Sequence, residues 1–269
     1  MTAQTRSEIK ALLEAHGLAP THRLGQHFLA DANITRKIVS AADVSSGDKV
    51  VEVGAGTGTL TAALADAGAS VVAYEVDEGL LPVLEEVTSG MDVDIRIADA
   101  TQVDLSADLV GGPWKMVANL PYNVGTPVVL DAIRQATSIS MFVVMVQNEV
   151  AERFVAGSGG RDYGIPSVIA QIHTEATLAF RVPPQVFYPA PRVGSAVVVM
   201  RRKPAPAFAE AGIEIASVAF GQRRKMLRRS LAGVFDEPSV VLEAAGIEPT
   251  LRAEDLAPSQ FLDLAAAAS

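Results

Sequence analysis

The segment Asn119-Leu120-Pro121-Tyr122 carries the most chemistry in the chain. The exocyclic amino group of a nucleobase is a poor nucleophile, because its lone pair is delocalised into the ring. An Asn side-chain carbonyl and a backbone carbonyl, fixed together by the following proline, can accept both hydrogens of such an amine and favour a pyramidal nitrogen whose lone pair points at an electrophile. Tyr122 can stack on the base once it has been taken out of its surroundings, as chemistry on a base requires. A bare Asn-x-Pro-Tyr is an ordinary polar turn, so its weight comes from what precedes it.

Three strand ends precede it. Val50-Val51-Glu52-Val53 runs into Gly54-Ala55-Gly56-Thr57-Gly58 and then a helix start. Glycines there allow positive φ and close ligand approach, and the helix start offers exposed N–H groups. The spacing differs from the Gly-x-Gly-x-x-Gly of dinucleotide enzymes, which lowers a nicotinamide dehydrogenase reading without eliminating it. Twenty-one residues beyond Gly54 stands Glu75, where a carboxylate can accept hydrogen bonds from both ribose hydroxyls of an adenosine. Asp77 is the alternative. Asp99-Ala100 follows the third strand, where a carboxylate can meet an adenine amino group; alone, Asp99 reads equally well as a loop or capping aspartate. In series, the three describe an adenosine-containing ligand lying across the carboxyl ends of parallel strands.

The elements that must hold these residues are legible as alternating apolar β-branched runs and helix-length segments, a doubly wound α/β pattern. Strands are expected at Lys49–Val53, Ser70–Tyr74, Val93–Ile97, Trp114–Ala118, Met141–Gln147, Ala176–Arg181 and Ser195–Arg201, with helices at Thr59–Ala67 and Thr126–Gln135. After Pro204 the β signals vanish, and helices are expected at Ala207–Gly221, Arg223–Phe235, Ser239–Ala245 and Ser259–Ala267. Two prolines near 204–206 set an expected division into a catalytic domain, 1–202, and a small all-helical domain, 203–269.

Composition narrows the function. With 49% hydrophobic and 20% charged residues, the 269-residue chain is a folded globular protein rather than a disordered or coiled-coil one. It has no cysteine, which excludes disulfides, thiolate zinc sites and a cysteine nucleophile, and its four histidines lack metal-ligand spacing, so no metal is expected. No leader and no apolar run of about 18–20 residues is evident, so a cytoplasmic location away from membranes is expected. The net charge of −9 looks wrong for a polyanion binder until it is divided along the chain. Residues 1–200 carry 13 basic and 22 acidic side chains, residues 201–269 nine of each, and 200–230 hold eight basic side chains against two acidic ones. Patches bind polyanions; totals do not. On a helical wheel Arg224, Lys225, Arg228 and Arg229 share one arc, an RNA-facing stripe if 223–235 is a helix.

These motifs resemble those of the S-adenosylmethionine-dependent rRNA adenine N6-dimethyltransferases, of the type acting on small-subunit rRNA, from about Arg23 to Leu264. Leu24-Gly25-Gln26-His27-Phe28-Leu29 is similar to the family's cofactor-lid motif, placing His27 and Leu29 at the cofactor. Residues 51–58 are similar to its methionine-contacting loop, with Gly54 and Gly56 at the cofactor, while Glu75, Asp99, Ala100 and Asn119 stand at its ribose, adenine and target-amine positions. Phe187-Tyr188-Pro189-Ala190-Pro191 resembles its aromatic-proline motif, which implies that Phe187 stacks on the target adenine, and 220–231 resembles the helix opening its RNA-side domain. His27 replaces a usual Asn, Ala55 a common Pro, and Gly157-Ser158-Gly159-Gly160-Arg161 a proline-containing loop, so that loop is expected to be more mobile, with Arg161 keeping a phosphate-binding charge.

The resemblance implies a class I, Rossmann-like methyltransferase fold with a helical C-terminal domain. It also implies S-adenosylmethionine as cofactor and dimethylation of two adjacent adenosines near the 3′ end of 16S rRNA. The partner would be the maturing small ribosomal subunit, met by a monomer. Alternatives are a large-subunit rRNA adenine methylase of the macrolide-resistance type and a non-catalytic ribosome-assembly factor on the same fold.

Overall fold

A computed structural model describes residues 4–122 and 125–269. Among them the strands are β1 (Phe28–Leu29), β2 (Lys49–Val53), β3 (Ser70–Glu75), β4 (Val93–Ile97), β5 (Trp114–Asn119), β6 (Ile139–Gln147), β7 (Thr174–Val182), β8 (Phe187–Tyr188) and β9 (Ser195–Arg202). The α-helices are α1 (Arg6–Ala15), α2 (Ala32–Ala41), α3 (Thr59–Asp66), α4 (Leu81–Val87), α5 (Leu105–Asp108), α6 (Gly125–Gln135), α7 (Asn148–Val155) and α8 (Ile165–His173). They continue with α9 (Ala209–Gly221), α10 (Leu227–Ser230), α11 (Pro238–Ala244) and α12 (Pro258–Ala267).

The seven expected strands form one sheet in the order β4-β3-β2-β5-β6-β9-β7, and each agrees with expectation to within two residues. β2, β3, β4, β5 and β6 run parallel and β9 joins β6 antiparallel. The order reverses between β2 and β5, so ligand chemistry is expected at the carboxyl ends of those two strands. β6 is buried from Met141 to Val146, as a run apolar on both parities requires. Ile34 and Ile38 of α2 and Leu60 and Leu64 of α3 pack with Val50, Val117 and Val143 of the sheet in the main core. The pair β1 and β8, too short to announce itself in sequence, forms a separate two-stranded sheet with Phe28 opposite Tyr188.

The chain divides into two compact units, residues 1–151 with 177–201, and residues 152–176 with 202–269. One seam falls between Arg201 and Arg202. Segment 152–176 groups with the C-terminal helices, because the apolar Val168, Ile169 and Ala170 of α8 are buried and α8 packs on α9 and α12. Tyr163, fully buried, donates its hydroxyl to Leu256 O at 2.8 Å and meets Phe220 edge-on.

The helix expected over Arg223–Phe235 does not form. α9 ends at Gly221, residues 222–225 are turn, Met226 bridges to Arg252, and only the four residues of α10 are helical. Leu227 N and Arg228 N donate to Leu251 O and Pro249 O, so the backbone here turns to a distant segment instead of continuing a helical ladder, and the Gln222 side chain donates to Ser230 O. A helical wheel therefore does not describe where Arg224 to Arg229 lie.

Candidate active site

A cleft opens at the carboxyl ends of β2 to β5, where the strand order reverses. Its lining contains every residue expected to touch the cofactor: His27, Leu29, Gly54 and Gly56 on one part, Glu75, Asp99 and Ala100 on another. Asn119, Leu120, Pro121 and Tyr122 complete it. Residues from Gly54 to Tyr122 thus meet through the parallel register of the sheet, and the β1 segment adds His27 and Leu29.

The glycines answer to close approach. A Cβ at Gly54 (φ 79°) would lie 3.1 Å from Pro121 Cδ, and one at Gly56 (φ 59°) 3.0 Å from the Phe28 ring. The turn is therefore wedged between the Asn-Leu-Pro segment and β1, and only glycine leaves room for a ligand chain beside its backbone.

Glu75, at the end of β3, is held by three backbone N–H groups: Gly56 N to Oε2 at 2.8 Å, and Val76 N and Asp77 N to Oε1 at 2.9 and 3.0 Å. Burial pushes its pKa up, against these bonds. A carboxylate offers about four acceptor positions, so Glu75 has room for one ribose hydroxyl and not two; the second hydroxyl needs another acceptor. Asp77 accepts from Gly79 N and Gln26 Nε2 and lies outside the cleft lining. Asp99 folds one oxygen onto Thr101 N and Oγ1, an arrangement that lowers its pKa, and keeps an exposed carboxylate at the cleft.

Glu52, on β2, was not among the expected site residues. It lines the cleft, is 1% exposed, and its Oε2 has no hydrogen-bond partner. Burial raises its pKa to about 8; Thr61 opposes the shift and the charge of Glu75 adds to it. The clue available in the sequence was a lone acid inside an otherwise apolar strand. A glycine cradle, an oriented carboxylate at the ribose position and an orphaned buried carboxyl suit a cationic adenosine derivative, so the residues fit S-adenosylmethionine.

On the far wall, Asn119 Nδ2 donates to His27 O at 3.3 Å. The His27 imidazole donates from Nδ1 to Pro189 O at 2.7 Å, and its ring lies 5.5 Å from that of Tyr122. Tyr122 OH pairs with Ser195 Oγ at 2.7 Å. Leu120 is buried by its side chain, wedged against Gly125. Phe187 corrects an expectation: it is fully buried in the main core, outside the cleft lining. A ring with no exposed surface has no face to offer a base, and Tyr122 is the half-buried aromatic ring that lines the cleft.

The expected RNA contacts gather in the second unit. Arg223 is an internal tie: Nε donates to Glu254 Oε2 at 2.7 Å and its other arm to Arg161 O at 3.1 Å. Arg224, Lys225, Arg228 and Arg229 are exposed beyond it, and so is Arg161. The glycine loop before Arg161 is pinned by Gly159 N to Glu254 O, which argues against the mobility expected of it. Among the described residues no His, Asp or Glu cluster suits a metal, and no helix is long and apolar enough to cross a membrane.

Comparison with known proteins agrees with this geometry. The family model for ribosomal RNA adenine dimethylase matches residues 19–269. The chain is 42% identical to the ribosomal RNA small subunit methyltransferase A of Phenylobacterium zucineum, over 98% of this chain and 94% of that protein. It is also 42% identical to that of Kineococcus radiotolerans, over 96% and 89%. Among solved structures, a dimethyladenosine transferase from Plasmodium falciparum shares the fold (TM-score 0.75, 23% identity, 88% of this chain and 96% of that one). The 23S rRNA methyltransferase ErmE does too (TM-score 0.69, 26% identity, 89% and 98%). By motif, sheet order and match over nearly its whole length, the chain belongs to the ribosomal RNA adenine dimethylase family.

Proposed function

We propose that the chain dimethylates N6 of two adjacent adenosines near the 3′ end of small-subunit 16S rRNA during subunit maturation, with S-adenosylmethionine as methyl donor. The observation that carries this reading is the fixed amide of Asn119 at the end of β5: one N–H of its Nδ2 is held by His27 O, which orients Oδ1 as the acceptor for a target amine.

Bound in the cleft, the cofactor supplies a methyl group already attached to a good neutral leaving group. What remains for the protein is positioning and polarisation. Asn119 Oδ1 and the Leu120 carbonyl accept the N6 hydrogens and turn the nitrogen lone pair outward. Tyr122, steadied by Ser195, stacks on the extruded base. Glu75 holds one ribose hydroxyl, and the exposed carboxylate of Asp99 meets the adenine amine. No general base is required, because the N–H becomes acidic as the new bond forms. Arg161, Arg224, Lys225, Arg228 and Arg229 supply phosphate contacts.

A small-subunit target is favoured over a large-subunit one, since relatives with small-subunit names match at 42% identity and ErmE at 26%. A non-catalytic assembly role is disfavoured by the intact polarising segment. Incubating the protein with labelled cofactor and unmethylated small or large subunits, then mapping N6-methylated adenosines, tests the reading. Label in two neighbouring small-subunit adenosines supports it, and label confined to large subunits, or none, overturns it.

A further inference from the structure

The structure assigns residues 4–16, which precede the family match beginning at residue 19, a part in holding the active site: we infer that Gln4 and Arg6 are positioning residues, one for the glycine turn and one for the strand that steers His27. The inference rests on the functional reading above.

Gln4 uses both ends of its amide on the turn. Nε2 donates to Thr57 O at 2.9 Å, and Oε1 accepts from Thr57 Oγ1 at 2.7 Å and Thr59 Oγ1 at 2.8 Å. Thr57 and Thr59 are 2% and 4% exposed, so these bonds are shielded from water. The turn needs such an outside tie. Gly54, Gly56 and Gly58 all have positive φ, and Gly58, at the start of α3, has no side chain to cap the helix. Glycine is the residue that loses most freedom on being ordered, so a turn shaped for ligand approach is also the one most in need of a fastening.

Two residues on, Arg6 Nη2 donates to Gln185 O at 2.8 Å and Phe187 O at 3.0 Å, fastening the start of β8. That strand leads to Pro189, whose carbonyl holds the His27 ring, and His27 O in turn holds the Asn119 amide. A line of contacts thus runs from Arg6 to the polarising carbonyl. α1 keeps both fastenings in register: Thr5 and Glu8 form a capping box at its start, and Ile9 and Leu13 pack with Phe28, Leu80 and Val83. Gln4 and Arg6 therefore reach the two sides of the site from one short, anchored segment.

The test uses the full chain with Gln4→Ala, Arg6→Ala and Arg6→Lys. Gln4→Ala should weaken S-adenosylmethionine binding on the order of tenfold by calorimetry, since three shielded hydrogen bonds are lost. Its loss in Kd should exceed its loss in kcat, and amide hydrogen exchange should quicken at residues 54–59. Arg6→Ala should lower kcat on small subunits several-fold, quicken exchange at 185–189 and spare cofactor affinity, while Arg6→Lys recovers part of the rate. If both variants lose affinity, kcat and melting temperature in step, or if neither alters exchange at its own contact, the inference fails. A wild-type chain that binds no cofactor would instead sink the functional reading, and the exchange pattern would still judge the two fastenings.

Discussion

Asn119 Nδ2 lies 3.3 Å from the backbone oxygen of His27, 92 residues away in sequence. The bond orients the amide. It holds one N–H toward the Leu24–Leu29 segment and turns Oδ1 outward as an acceptor, the polarity that the proposed target, an amine carrying two hydrogens, requires. His27 is itself fixed through Pro189, so the acceptor is oriented before any substrate arrives, and preorganisation of this kind is what makes such groups effective.

Asn119→Ala should therefore keep S-adenosylmethionine binding and lose methyl transfer by about a hundredfold or more, the scale for removing an oriented transition-state partner. Asn119→Asp should be at least as poor, because a carboxylate has no donor for His27 O. Calorimetry and single-turnover methylation on purified subunits measure the two quantities separately. Wild-type turnover in Asn119→Ala would remove the residue from the mechanism.

The aromatic residues divide by burial. Phe187 sits in the main core, so Phe187→Ala should cost about 3–5 kcal/mol of stability and lower the melting temperature. Tyr122 lines the cleft, so Tyr122→Ala should instead weaken productive binding of the target by about 1–3 kcal/mol, the worth of one base stack. Tyr122→Phe gives up the Ser195 bond and keeps the ring face, and it should retain most of the rate. Slow turnover at an unchanged melting temperature in Phe187→Ala would return the stacking role to Phe187.

Wherever a strand of the main sheet carries a long apolar run, its place was legible in the sequence, because both faces of β2, β5 and β6 must be covered. The cleft wall was equally plain, since Gly54 and Gly56 follow β2, Glu75 ends β3 and Asp99 comes two residues after β4. What escaped was set by contacts distant in sequence. β1 and β8 are two residues each and exist only as a pair. The stretch after Gly221 carries helix-forming side chains, yet Leu227 N and Arg228 N take their partners from Leu251 and Pro249. Phe187 was read from its motif neighbours, whereas its burial depends on α2, α3 and the sheet. Glu52 looked like part of a motif, and only the enclosed fold shows that its carboxyl has an unpartnered oxygen.

Glu52 makes stability depend on pH. Its folded pKa, raised from 4.5 to about 8, means that the native state holds a proton that the unfolded chain has released. The contribution is fully present below pH 4.5 and is lost as pH rises through about 8, with an upper bound of about 5 kcal/mol. Glu52→Gln should flatten urea-unfolding stability across that window and raise it at pH 8. A cationic ligand in the cleft favours the ionised carboxyl, so cofactor binding near pH 7 should release a proton in the wild type and not in Glu52→Gln. Calorimetry in buffers of different ionisation enthalpy measures that release. Equal proton release in both proteins would place the linkage on another group.

The last expectation concerns the basic turn, where neighbouring arginines have different work. Arg223 is bound to Glu254 and to the carbonyl of Arg161 and lies over the Phe220 ring, so it holds the second unit together. Arg224, Arg228 and Arg229 are exposed, and crowding like charges there gains nothing unless a polyanion neutralises them. Replacing those three with Gln should weaken subunit binding and flatten its salt dependence, each lost phosphate contact lowering the slope by roughly 0.7–0.9. Cofactor affinity and melting temperature should hold. Arg223→Gln should do the reverse, lowering the melting temperature with a loss of about 1 kcal/mol for a half-exposed pair while sparing the salt slope at temperatures where the protein is folded. Loss of the bond to Arg161 O should also loosen the Arg161 loop, which protease digestion would detect. If the triple variant binds and methylates subunits like the wild type across a salt series, the turn makes no RNA contact, and Arg161 becomes the first residue to test alone.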